Sequence, residues 1–155
     1  MNYPEYLTDL QHIHKSEVYG YNVFKMAGRL TFSSAKKTKW ALLCELEAQT
    51  LEQFLDYMAA TRQATKYPLF WAIKGHFEGL VLGLLPWRLA MRLLAYETKS
   101  FTAIWLRLKT NSSKTDSKFF NYIYAHEKAI EAFALGELKH KATSTKPILS
   151  LLKLD

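Results

Sequence analysis

Phe119-Phe120-Asn121-Tyr122-Ile123-Tyr124-Ala125-His126-Glu127-Lys128-Ala129-Ile130-Glu131 carries the clearest helical signature in the chain. At helical spacing, Phe120, Ile123, Glu127, Ile130, Ala134 and Leu138 fall on one stripe, apolar except at Glu127. A carboxylate in that position faces a core, where it is costly unless it is paired or bound to a metal. The same arrangement recurs three times along the chain.

The first helix is expected from about Tyr6 or Thr8 to Leu30, with Leu10, Ile13, Glu17, Gly20, Phe24 and Ala27 on one face. Residues 31–34 read as a turn, with Ser33 or Ser34 as N-cap of the next helix. That helix is expected over residues 35–65, striped by Trp40, Leu43, Glu47, Thr50, Phe54 and Met58, and Tyr67-Pro68 ends it. A third long helix, residues 88–109, aligns Ala90, Leu94, Glu97, Phe101, Ile104 and Leu108. The polar loop 110–116 precedes the fourth helix, which runs to about His140. Residues 141–146 form a polar linker, and 148–154 a short terminal helix or strap.

The segment from Leu69 to Trp87 is less regular to read. Its uncharged run Gly79–Trp87 is too short to span a bilayer, which needs ~20 residues. Burial is the favoured expectation for this run; contact with a membrane surface or lipid is the alternative. Strand-like alternation, solenoid repeats and low-complexity tracts are missing. The expected fold is therefore all-α, one four-helix bundle domain over residues 1–155 with an extra apolar segment before its third long helix and a short C-terminal extension.

Composition narrows the function classes. With 155 residues and 49% hydrophobic content, the chain suits a single packed domain rather than a disordered one. The lone Cys44 excludes a disulfide framework and zinc-type cysteine spacing, and a reducing, cytoplasmic compartment is expected. No secretory leader is read at the N-terminus. The net charge of +7 favours polyanions or an anionic membrane surface, but the cations are scattered and no nucleic-acid motif is present, so no nucleic-acid partner is expected. The five histidines form no metalloprotease pattern, and no phosphate loop, dinucleotide fingerprint or nucleophile elbow occurs.

Glu17, Glu47, Glu97 and Glu127 would meet at the centre of a bundle packed stripe to stripe. Four buried carboxylates cannot all stay ionised without cations, and two bridged metal ions answer the charge problem. Here the chain resembles the ferritin-like superfamily, and is most similar to the demethoxyubiquinone hydroxylases of ubiquinone biosynthesis. The residues that carry the likeness are His14-Lys15-Ser16-Glu17-Val18-Tyr19-Gly20-Tyr21, Glu47-Ala48-Gln49-Thr50-Leu51-Glu52-Gln53-Phe54, and the passage from Gly79 through Ala90-Met91 to Glu97. The resemblance covers about residues 10–138. It implies a di-iron carboxylate centre and an oxygen-dependent hydroxylase or oxidase acting on a quinone or lipid-like substrate.

Two departures stand against that activity. The family's second-helix histidine position holds Thr50, and its fourth-helix position holds Ile130. Glu131 could supply a fifth carboxylate through a small rotation or π-bulge, whereas His126 lies about 100° around the helix from Glu127 and is expected outside the ligand set. The leading expectation is a ferritin-like bundle with a degenerate di-metal site made of Glu17, Glu47, Glu97, Glu127 and Glu131. It acts as a metal-binding or scaffold protein, holding two Fe or Mn ions or none, with a homodimer or peripheral lipid contact among its partners. The hydroxylase is the alternative.

Overall fold

The computed structural model describes residues 3–114 and 116–152 and is all-helical, with no strand among the described residues. Six helices follow in order: α1 Tyr3–Leu30, α2 Ser34–Ala60, α3 Leu69–Leu84, α4 Trp87–Asn111, α5 Ser117–Leu138 and α6 Lys146–Leu149. Residues 153 and 154 of the expected terminal strap lie outside the described residues. The chain divides into two compact units. One is Leu10–Leu84; the other joins the first turns of α1, through Asp9, to the chain from Leu85 onward.

In the unit Leu10–Leu84, the expected stripes of α1 and α2 are the buried ones. Leu10, Ile13, Glu17, Gly20, Phe24 and Ala27 are buried on α1, and Trp40, Leu43, Glu47, Thr50, Phe54 and Met58 on α2. Phe24 stacks on Trp40 at 5.8 Å, and the Trp40 indole donates to the Thr31 hydroxyl at 3.0 Å. Ser33 takes the N-cap position of α2, but its hydroxyl makes no capping bond. α2 stops at Ala60, five residues short of expectation. Arg62 turns left-handed (φ 55°) and the Gln63 amide donates back to the Met58 carbonyl, a Schellman closure.

The 69–84 segment is a regular 16-residue helix rather than an irregular run. Its inner face is made of Ala72, Gly75, Gly79 and Gly83. A Cβ on Gly79 would meet the Val23 carbonyl at 2.4 Å, and one on Gly83 the Ala27 carbonyl at 2.7 Å. The glycines therefore let α3 lie backbone to backbone on α1. Phe70, Ile73 and Phe77 are left exposed while Trp71, Leu80 and Leu82 are half-buried, so the expected burial of this apolar segment is corrected in part. Gly79 is buried, but Val81 and Leu84 are exposed.

In the other unit, α4 packs on α5 and α5 on α6. Met91, Leu94, Trp105 and Leu108 of α4 and Phe120, Ile123, Ile130 and Phe133 of α5 form its core. The buried Glu137 carboxylate accepts from the Trp87 indole at 2.8 Å and from the Ser144 hydroxyl, and so ties the start of α4 to the turn before α6. α5 ends as α2 does, with His140 left-handed and the Lys141 amide bonded to the Gly136 carbonyl.

Candidate metal centre in the Leu10–Leu84 unit

Glu17 and Glu47 are the two predicted site residues that one unit brings together. Glu17 is 1% exposed and Glu47 5%. A carboxylate oxygen of one lies within 4.8 Å of a carboxylate oxygen of the other. Helix periodicity fixes this arrangement locally. Glu17 lies four residues after Ile13, and Glu47 four after Leu43, so each takes a core position in its own helix. Gly20, one turn beyond Glu17, makes room for the Glu47 head group, since a Cβ there would sit 2.5 Å from Glu47 Oε1. His14 is buried one turn before Glu17, stacks on Phe54 at 5.2 Å, and is held towards its neutral form by burial.

Two unit negative charges ~5 Å apart repel by about 3 kcal/mol at an effective dielectric near 20. A divalent cation between the oxygens reverses the sign of that interaction, whereas a shared proton only removes it. The donor set is hard oxygen, the type that suits Mn, Mg, Ca or carboxylate-bound Fe. Thr50, at the position where the resemblance puts a histidine, turns its hydroxyl back to donate to the Leu46 carbonyl at 2.8 Å.

The remaining predicted residues lie on α4 and α5. Glu97 is exposed, and the buried position of that turn is Thr98, whose hydroxyl bonds the Leu94 carbonyl at 2.8 Å. The inward face of α4 runs through Leu94, Thr98, Trp105 and Leu108. This face leaves Glu97 about 100° away. The expectation of one inward Glu on each long helix is therefore corrected at α4. Glu131 is half-buried and pairs with Lys128 one turn away on the surface of α5. No π-bulge turns it inward, because α5 is regular throughout. Ile130 is buried, an apolar side chain at the other histidine position.

Glu127 is buried as expected, and its environment is unusual. Burial pushes its carboxyl pKa up to about 7; the nearby Trp105 indole N–H opposes this, short of full hydrogen-bond geometry, and Glu131 reinforces it. His126 is a residue that stripe counting missed. It is fully buried beside Glu127, and desolvation lowers its pKa to about 3, so it is a neutral imidazole. α5 buries His126, Ala129, Phe133 and Gly136 as well as Phe120, Ile123, Glu127, Ile130 and Ala134 of the expected stripe, so its buried face is broader than one line of residues. No protein-family model, no curated protein and no solved structure matches this chain.

Proposed function

We propose that the protein is a metal-binding helical protein of ferritin-like type, with a reduced carboxylate centre built on Glu17 and Glu47. The observation that carries this reading is the approach of two buried carboxylates to within 4.8 Å, with Gly20 leaving space for one of them. The centre favours an oxygen-bound divalent cation. When bound, the ion would supply charge neutralisation and Lewis acidity. Glu17 and Glu47 would hold it, and the core residues around them, Ile13, Leu43 and Phe54, would exclude water. Thr50 and Ile130 in place of imidazoles, and Glu97 at the surface, favour binding over the oxygen chemistry of a full di-iron hydroxylase. α5 carries a second set of buried donors, the neutral His126 imidazole and the Glu127 carboxyl.

Calorimetric titration with Mn(II), and with Fe(II) under anaerobic conditions, tests the reading. Saturable uptake by the wild type, abolished by Glu47→Gln and unaffected by Glu97→Gln, is the expected result. Equal uptake by the wild type and Glu47→Gln would sink it. Parallel titrations of His126→Gln and Glu127→Gln show whether uptake also draws on the α5 donors.

A further inference from the structure

We propose that the outer face of α3 is a peripheral docking surface for an anionic lipid bilayer. The helix is two-faced in an uncommon way. Ala72, Gly75, Gly79 and Gly83 are spent on close packing against α1. Phe70, Ile73, Phe77, Val81 and Leu84, at successive spacings of three or four residues, are 49–71% exposed and form one apolar stripe along the whole helix. Leu69 extends it at the start. At the other end, the Thr31 hydroxyl bonds the Gly83 carbonyl at 3.4 Å, which brings the turn holding Phe32, 95% exposed, to the last turn of α3. A continuous exposed run of large apolar residues marks a contact surface.

Charge selects lipid as the occupant. Within its own unit, between Tyr57 and Leu84, the chain has three cations, Arg62, Lys66 and Lys74, against one acid, Glu78. That acid is held by Lys74 at 2.8 Å and by the Tyr19 hydroxyl. Tyr67 and Trp71 add amphipathic rings near the start of the stripe, the residue types that settle at the headgroup level. A 16-residue helix is ~24 Å long and ~11 Å wide, a footprint of roughly 250 Å². Such a footprint, apolar along one side, suits a helix lying in the membrane plane. No helix among the described residues is long and apolar enough to cross a membrane, so the contact is interfacial.

Co-sedimentation with vesicles of phosphatidylcholine alone, and of phosphatidylcholine mixed with phosphatidylglycerol, tests this surface. The wild type should pellet with the anionic vesicles at low salt and be released as salt rises. Phe77→Glu should cut partitioning by about tenfold or more, and Lys66→Glu by about fivefold on anionic vesicles alone. Both positions are exposed, so unchanged thermal melting should accompany the loss; Val81→Asn serves as the check if Phe77→Glu melts early. Protein that stays in the supernatant with anionic vesicles at low salt overturns the proposal. So does binding that Phe77→Glu and Val81→Asn leave intact. A wild-type dimer that Phe77→Glu converts to monomer, without vesicle binding, assigns the face to a second copy instead. None of these variants touches Glu17 or Glu47, so either outcome leaves the metal reading to its own titration.

Discussion

The two units of the molecule bury acids in different ways. In the unit that holds α4 and α5, each buried carboxylate among the described residues has a visible means of tolerating its burial. Asp9 accepts two hydrogen bonds from the Arg107 guanidinium, at 2.6 and 3.0 Å. Glu137 accepts from Trp87 and Ser144. Glu127 holds a proton up to about pH 7. In the Leu10–Leu84 unit, Glu17 and Glu47 bring a carboxylate oxygen each to within 4.8 Å of the other. A buried glutamate in an apolar stripe is thus a weak sign of a site, because hydrogen bonds, a guanidinium or a proton can each accommodate it. A second carboxylate at close range is the stronger sign.

The contrast can be broken most decisively at Glu47. Glu47→Gln should reduce bound metal from about an equivalent or more to less than a tenth of an equivalent, read by elemental analysis. If the pair is instead metal-free, Glu47→Leu should leave stability unchanged or raise it, read by chemical denaturation, since a packing group replaces a buried carboxyl.

The next effect concerns pH. Glu127 carries an extra proton in the folded state between its ordinary pKa of 4.5 and about 7, so its contribution to stability falls as pH rises through that window. The full span corresponds to roughly 3 kcal/mol. Glu127→Gln should remove this slope and be the more stable protein at pH 8, measured by urea unfolding across pH. His126 acts in the opposite direction. Its folded pKa lies below 6.5, so stability is lost as pH falls from 6.5 towards about 3. His126→Phe should flatten that acid limb in the same experiment.

A smaller effect is expected at the α1–α3 contact. Gly79→Ala puts a methyl 2.4 Å from the Val23 carbonyl and should cost about 1–3 kcal/mol, seen as a lower midpoint of chemical unfolding. The smallest concerns Glu97. Glu97→Gln should change stability by less than about 0.5 kcal/mol and leave metal uptake untouched, because the residue is exposed. Loss of metal in Glu97→Gln would restore the four-carboxylate expectation and blur the distinction between the units.

Where periodicity is unbroken, the sequence was readable. All six expected stripe positions are buried on both α1 and α2, because Trp40, Leu43, Phe54 and their counterparts on α1 leave only one way for each helix to face. α4 was misread by one residue at its centre. Leu94, Phe101 and Leu108 fit a stripe through either position 97 or 98, and α4 buries Thr98 and exposes Glu97. The apolar 69–84 segment was misread for another reason. Hydrophobicity does not say which face a helix buries when glycine can pack more closely than leucine. Only the backbone contacts of Gly75, Gly79 and Gly83 with α1 reveal that Phe70, Ile73 and Phe77 are left exposed. The burial of His126 was hidden because α5 buries a broad arc, which stripe counting treats as a line.

The most direct test of the account is the metal content of protein purified without chelator, measured for Fe, Mn, Zn, Ca and Mg in the wild type and in Glu47→Gln. The account predicts about one equivalent or more of a divalent metal in the wild type, and less than a tenth of that in the variant. A wild type that carries no metal, and takes none up from Mn(II) or Fe(II), would contradict it and leave Glu17 and Glu47 as a proton-sharing pair.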